Sequence, residues 1–117
     1  MGDITDMQQQ IRKHVEERDW SQFHNMKDMA ISLSLESAEV LELFQWKSPA
    51  EIDTFIKEHK TDLAEELVDV LYWVVYMADK ADIDLTQAFA AKMEQNRKKY
   101  PVDKARGTHK KYTELDT

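Results

Sequence analysis

Four acidic side chains stand inside the two most apolar stretches of the chain. Glu36 and Glu39 interrupt one stretch, and Glu66 and Asp69 interrupt the other. The three-residue spacing puts both members of a pair on one face of a helix, and the second face continues to Trp73 and Tyr76. A carboxylate removed from water is costly unless it is paired or coordinated, and neither stretch supplies an obvious cation.

Four converging carboxylates suit a hard divalent cation such as Mg²⁺, which prefers oxygen ligands and retains water alongside them. Iron is disfavoured, because helical di-iron sites need Glu-x-x-His pairs and an acid stands three residues after Glu36, Glu39 and Glu66. A single Glu-x-x-Glu pair usually marks a solvated helix face. The metal hypothesis therefore depends on two such pairs lying in apolar helices.

The elements that must position these acids are predicted to be helical throughout. With two Gly and two Pro residues, the chain favours long uninterrupted helices. We predict an all-α bundle of four main helices plus a short one, at about 3–18, 26–45, 49–57, 59–81 and 84–98. Asn25, Ser48 and Asp84 are the expected N-caps, although the segment after Ser48 could equally be a structured loop.

The predicted second and fourth helices are apolar around most of their circumference. Such helices are normally buried, so we expect them to be the central pair of the bundle or to lie at a subunit interface. With 117 residues the chain is one domain by length. The absence of cysteine excludes disulfides and zinc–thiolate sites and fits a cytoplasmic location. We expect no signal peptide and no membrane partner.

Charge is unevenly distributed along the chain. The net charge is −7, yet residues 97–111 hold seven Lys or Arg against one acid, a local +6 that leaves −13 for the remainder. Such an acidic body repels polyanions unless cations intervene, and we expect no nucleic-acid partner. The basic residues are either simple solvated charge or a tail that meets an anion.

The chain resembles the all-α nucleoside triphosphate pyrophosphatases. Their metal signature corresponds here to Glu36-Ser-Ala-Glu39, 26 intervening residues and Glu66-Leu-Val-Asp69. The likeness is to MazG-like proteins and the dCTP pyrophosphatase branch. It extends over most of the chain, through ERDWSQFH (17–24), ESAEVLELFQWK (36–47), EELVDVLYWV (65–74), KMEQNRKKYP (92–101) and DKARG (103–107).

The resemblance implies a homodimer or homotetramer with active sites between subunits. It implies Mg²⁺-dependent cleavage (Mn²⁺ as a substitute) of a nucleoside triphosphate between the α and β phosphates. The products are a monophosphate and pyrophosphate, deoxynucleotides such as dCTP are preferred, and the role is clearing surplus or damaged nucleotides. It also implies a catalytic domain over 1–99 and a basic tail over 100–117 that helps to bind substrate.

Residue roles carry over by position. The metal-binding and catalytic residues are Glu36, Glu39, Glu66 and Asp69. The expected substrate-binding residues are Trp20, His24, Trp46, Lys47, Trp73, Lys92, Asn96 and Tyr100. The branch has a His nine residues before the Trp that corresponds to Trp20. That position is Ile11 here, and we expect the nearby His14 to face elsewhere.

Plainer interpretations stand beside these roles. Trp46, at a helix end, is otherwise typical of a packing residue, and His24 is typical of a structural histidine. Two other functions remain open for the whole chain. One is a non-catalytic nucleotide- or partner-binding bundle, and the other is an oligomerisation module.

Overall fold

The computed structural model describes residues 3–115, which contain helices and no strand. The predicted all-α fold class is confirmed. Residues 1, 2, 116 and 117 of the predicted domain and tail lie outside the described residues. The helices are α1 (Ile4–Glu17), α2 (Met26–Glu42), α3 (Pro49–Glu58), α4 (Lys60–Lys80), α5 (Leu85–Lys99) and α6 (Val102–Ala105), with 3₁₀ turns at Ser21–Phe23 and Tyr112–Glu114.

The predicted caps begin three of these helices. The Asn25 side chain accepts from the Asp28 N–H at 2.9 Å, and the Asp84 side chain accepts from the Gln87 N–H at 3.1 Å. Ser48 and Glu51 form a reciprocal capping box in front of α3. The segment after Ser48 is therefore a helix, because its first N–H groups are satisfied by the cap.

The chain divides into two compact units, one up to Asp82 and one from Ile83 onward. The first contains α1 to α4, with α2, α1 and α3 each packed on α4. The second contains α5, α6 and the tail. The predicted division between a catalytic domain ending at residue 99 and a substrate-binding tail concerns function and stays a prediction.

The core of the first unit lies where α1, α2 and one end of α4 meet. Its buried apolar residues are Ile11, Val15, Met29, Val75, Tyr76 and Ala78. The pairing of α2 with α4 agrees with the sequence. Of the two expected alternatives, burial of both apolar helices within the chain does not hold, and a subunit interface stays a prediction. Leu35, Leu41 and Leu67 are more than half exposed, because the neighbouring helices of the unit cover only part of each circumference.

A bidentate ion pair links α1 to α4 near the core of the first unit. Arg12 Nε donates to Asp79 Oδ2 at 2.6 Å, and Arg12 Nη2 pairs with Asp79 Oδ1. The hydrogen bond from Arg12, and then its charge, hold the pKa of Asp79 below its usual range. The pair thereby ties α1 to the last turns of α4. None of the helices between residues 3 and 115 is long and apolar enough to cross a membrane.

Candidate functional site

The packing of α2 against α4 brings the four acidic side chains together. One carboxylate oxygen from each of Glu36, Glu39, Glu66 and Asp69 lies within 4.8 Å of the others. We call these four residues the acidic tetrad. Glu36 and Glu66 are half-buried, whereas Glu39 and Asp69 are exposed. The tetrad therefore has an inner pair against the helices and an outer pair toward solvent.

The inner pair is electrostatically strained. Glu36 Oε2 and Glu66 Oε2 are buried, and no donor within the described residues reaches either oxygen. Burial, then the neighbouring Glu39 carboxyl and the charge of Asp69, raise the pKa of Glu36. For Glu66, hydrogen bonding with the Glu39 carboxyl and then burial and the surrounding charges raise the pKa. Without a cation, the site opposes full ionisation of these acids.

The donor set fits a hard divalent cation. All four ligands are carboxylates, the chemistry that Mg²⁺ and Mn²⁺ prefer over sulfur or nitrogen donors. Across residues 3–115, no Lys, Arg or His forms an ion pair with any of the four. The two orphaned oxygens of Glu36 and Glu66 are what a bound cation would satisfy. The residues present could therefore hold a metal ion, and their role as its ligands stays a prediction.

A cavity of about 300 Å³ adjoins the tetrad in the first unit. We call it the Trp20 cavity. It is lined by His14, Trp20, His24, Asp69, Tyr72 and Trp73. Three predicted substrate-binding residues, Trp20, His24 and Trp73, therefore share one space with a member of the tetrad. Asp69 belongs to both features, which makes them one composite site.

Trp20 reaches this cavity through the backbone at the end of α1. The Trp20 N–H donates to the Val15 carbonyl and the Asp19 N–H to the Glu16 carbonyl, each at 3.1 Å. This is the Schellman arrangement, in which the residue after the cap takes a left-handed conformation. Asp19 takes it with φ of 53°. The resulting reversal brings the Trp20 ring back beside α1.

The expectation that His14 faces elsewhere is wrong. His14 lines the Trp20 cavity, with its ring edge-to-face against Trp20 and the ring centroids 5.5 Å apart. The reason is the left-handed residue before Trp20, which turns the indole toward the face of α1 that carries His14. Ile11 lies in the core instead.

His24 is held among aromatic rings at the other side of the cavity. Its Nδ1 lies 2.7 Å from the Tyr76 hydroxyl oxygen, and its ring packs edge-to-face on Trp73 and Tyr76. Burial, and secondarily the charge of Lys80, lower the pKa of His24. The lowered pKa favours the neutral imidazole. His24 both packs among aromatic rings and lines the cavity.

Sequence reasoning assigned no role to Tyr72 or Tyr76. Tyr72 lines the cavity and packs edge-to-face on Trp73. Tyr76 is 4% exposed and contacts His24. The signal for Tyr76 was already in the sequence, because it continues the face of α4 that carries Glu66, Asp69 and Trp73. Tyr72 stands three residues after Asp69, so the same helical spacing could have indicated it.

Trp46 and Lys47 lie elsewhere in the first unit. Trp46 is 88% exposed in the turns after α2, and it is not among the residues that line the Trp20 cavity. Lys47 Nζ donates to the Leu43 carbonyl and lies 4.7 Å from the centre of the Phe55 ring. Lys47 also borders a separate cavity of about 370 Å³ along α3. Substrate binding by either residue stays a prediction.

Lys92, Asn96 and Tyr100 belong to the second unit. Lys92 and Asn96 lie one turn apart on the same face of α5, and Tyr100 caps the helix with its N–H on the Asn96 carbonyl at 2.9 Å. Lys92 Nζ lies 3.4 Å from Gln95 Oε1. A role of these three residues in binding substrate stays a prediction.

Comparison with known proteins gives concordant matches. A model of the MazG-like family matches residues 31–115. The chain is 43% identical over 109 residues to dCTP pyrophosphatase 1 of Rattus norvegicus and 41% identical to that of Homo sapiens. Each alignment covers 89% of this chain and 64% of the relative, so the chain spans just under two thirds of these proteins. A pyrophosphatase crystal structure from Archaeoglobus fulgidus matches with a TM-score of 0.78 and 36% identity, covering 83% of this chain and 91% of that one.

Proposed function

The chain belongs to the MazG-like family, and from this premise we propose that it is a nucleoside triphosphate pyrophosphohydrolase. It cleaves a nucleoside triphosphate between the α and β phosphates and releases a monophosphate and pyrophosphate. The observation that carries the proposal is the position of Asp69, which is shared by the acidic tetrad and the Trp20 cavity. This shared position supports the proposal, because the reaction needs a bound base close to the phosphates.

The acidic tetrad is the proposed metal site, with Mg²⁺ as the ion and Mn²⁺ as a substitute. A bound ion supplies charge neutralisation for the phosphates and lowers the pKa of a bound water. The protein fixes the four oxygens on two packed helices, so that their geometry is set before substrate arrives. Attack by water is the proposed route, because phosphoryl transfer can proceed by positioning and charge stabilisation with no covalent intermediate.

The Trp20 cavity is the proposed site for the base and sugar. Its volume lies at the lower end of small-molecule sites, which span about 300–1,000 Å³. Trp20, Tyr72 and Trp73 offer flat faces on which a base can stack whatever its identity. His14 and His24 add polar atoms that select among bases. The name of the rat and human relatives, dCTP pyrophosphatase 1, supports a deoxynucleotide substrate of the dCTP type. The proposed role is the clearing of surplus or damaged nucleotides.

Exposed apolar surface supports assembly as a homodimer or homotetramer. Leu35 and Leu41 on α2, and Leu67 and Val68 on α4, remain more than half exposed beside the tetrad. Exposed apolar surface of this extent is typical of interfaces. On this proposal Trp46 and Lys47 serve the site of a neighbouring subunit. The proposal also keeps Lys92, Asn96, Tyr100 and the basic tail as substrate-binding residues.

Product analysis tests the reaction directly. The purified chain is incubated with each common dNTP and NTP in Mg²⁺, and the products are separated by ion-exchange chromatography. Monophosphate and pyrophosphate are the expected products, with dCTP among the fastest substrates. Diphosphate and orthophosphate would refute the proposed bond specificity. Nucleotide-dependent thermal stabilisation without turnover would favour a non-catalytic binding protein instead.

A further inference from the structure

Four polar side chains at the Trp20 cavity lie in a single row. Lys80 Nζ donates to Ser21 Oγ at 3.3 Å, and Ser21 is close enough to the Tyr76 hydroxyl to lower its pKa against the larger, opposing effect of burial. The Tyr76 hydroxyl oxygen lies 2.7 Å from Nδ1 of His24. The row therefore runs from a surface ammonium, through two hydroxyls, to an imidazole that lines the cavity.

The ammonium gives this row a direction. A lysine ammonium only donates, so it occupies a lone pair of Ser21 Oγ. Each hydroxyl has one proton, and its dipole is most stable with oxygen toward the positive charge and hydrogen away from it. Lys80 Nζ also lies 5.6 Å from the centre of the Tyr76 ring, so its field acts on both hydroxyls. A Ser21 proton directed away from Lys80 faces the Tyr76 hydroxyl oxygen. That leaves the Tyr76 proton for His24 Nδ1, 2.7 Å away.

The surroundings keep the row in place. Tyr76 is 4% exposed in the core, and its ring stacks on Trp73. Burial raises the pKa of the Tyr76 hydroxyl, so it keeps the proton that it donates. The His24 ring packs edge-to-face against both Trp73 and Tyr76, with interplanar angles of 88° and 82°. These contacts oppose rotation of the imidazole.

We propose that Lys80, Ser21 and Tyr76 are positioning residues that fix His24 as the tautomer protonated on Nε2. With Nδ1 accepting from Tyr76, the single remaining polar hydrogen of the neutral ring is on Nε2. His24 then meets a ligand as an uncharged donor of fixed direction. Such a donor fits an uncharged acceptor, such as a base carbonyl or a sugar oxygen. The tautomer can be tested on the free protein, whereas the assignment to a nucleotide rests on the proposed function.

Long-range ¹H–¹⁵N spectra of the uniformly labelled full chain measure the tautomer directly, with His24→Gln to assign the signals. At pH 7 we expect protonated Nε2 and unprotonated Nδ1. Tyr76→Phe removes the donor while keeping the ring, and should shift the pattern toward a mixture of the two tautomers. Ser21→Ala changes an exposed side chain, and should cause a smaller shift in the same direction. Protonation on Nδ1, a charged ring, or an unchanged pattern in Tyr76→Phe would overturn the proposal.

Tyr72→Phe is the matched control for the spectra. It removes a hydroxyl from the same cavity but not a bond to His24, so the His24 pattern should stay as in the unmodified chain. An equal shift in this variant would mean that the tautomer responds to general repacking, which would also overturn the proposal.

Steady-state kinetics with dCTP test the ligand assignment. Tyr76→Phe should raise KM by up to about tenfold, the loss expected for one uncharged hydrogen bond, with kcat within about twofold. A fall in kcat at unchanged KM would refute a role in binding. If no nucleotide is turned over by the unmodified chain, the proposed function fails while the tautomer result stands, so the two failures are distinguishable.

Discussion

In its first half, α4 carries Glu66 and Asp69 beside side chains that stay exposed, whereas its second half lies in the core of the first unit. Val68 is 58% exposed, and Val75, two turns later, is 0% exposed. The buried half has its polar groups satisfied within the chain, as in the Arg12–Asp79 pair. The other half leaves Glu66 Oε2 without a donor among the described residues. The same helix therefore has one half whose polar groups are satisfied within the chain. Its other half has a carboxylate that needs water or a cation.

This difference shows where the chain places its chemistry. The second half of α4 is buried and its polar groups are hydrogen-bonded, which fixes the direction of the helix. The first half, which carries the acids, is thereby held in position while it stays accessible to solvent. The acids can stay ionised only where water or a cation reaches them. Mutations in the two halves should therefore affect different properties, activity in the first and stability in the second.

The largest effect is expected for Asp69→Asn, which removes a charge from both the tetrad and the Trp20 cavity. We expect kcat/KM for dCTP to fall at least about 100-fold, because metal-assisted stabilisation of phosphate charge is lost. The folded state should persist, since Asp69 is exposed and no donor depends on it. Asp53→Asn, an exposed helical aspartate on α3, is the control. Normal turnover by Asp69→Asn would remove the tetrad from the mechanism.

Ion binding should be visible as a change in melting temperature. Adding Mg²⁺ or Mn²⁺ to the chelator-treated chain should raise the melting temperature by about 10 °C when the ion is at 100 times its Kd. The rise should be much smaller in Glu66→Gln, which loses a ligand oxygen. Differential scanning calorimetry measures both. Equal shifts in the two proteins would place the ion elsewhere.

The two valines of α4 provide a matched pair for stability. Val75→Ala should lower the free energy of unfolding by about 2 kcal/mol, because two buried carbon atoms are lost and a cavity is left. Val68→Ala should change it by less than about 0.5 kcal/mol at low protein concentration, since the side chain is exposed. Urea unfolding in chelator measures both values. A loss for Val68→Ala that grows with protein concentration would support the proposed oligomer.

The smallest effect is expected for Arg12→Gln, and it should depend on pH. The pKa of Asp79 is lowered in the folded state, so the pair stabilises the fold above the unfolded aspartate pKa of about 3.9. That stabilisation is lost as pH falls through the folded pKa. The stability difference between the unmodified chain and Arg12→Gln should therefore be present at pH 7 and disappear once the pH has fallen below the lowered pKa of Asp79. Lys13→Gln, at an exposed pair with Glu17, should show no such dependence.

The helices were predictable because their signals are local. The start of α3 is predictable from a capping box between Ser48 and Glu51, with Pro49 at the first helical position. Few Gly or Pro residues interrupt the helices once they have begun. The convergence of Glu36 and Glu66 was predictable from the apolar sequence around each acid. Paired acids within two apolar helices are commonly explained by the two helices packing with their acidic faces together.

The features that could not be predicted depend on non-local packing or on single backbone angles. The left-handed conformation of Asp19 brings Trp20 beside His14. A positive φ is typical of glycine, so the sequence does not indicate it at an aspartate. The exposure of Leu35 and Leu67 depends on how many helices surround α2 and α4, which periodicity does not specify. The apolar residues around α2 and α4 indicated that these helices must be buried. They did not indicate whether the burying surface belongs to this chain or to another subunit.

The shared position of Asp69 has a thermodynamic consequence for the proposed enzyme. A residue that faces both a cation site and a nucleotide cavity links the two equilibria, and linkage is reciprocal. Whatever factor the ion contributes to nucleotide affinity, the nucleotide must contribute to ion affinity. An apparent constant for either ligand therefore has meaning only at a stated concentration of the other, and Asp69→Asn should reduce the coupling as well as both affinities.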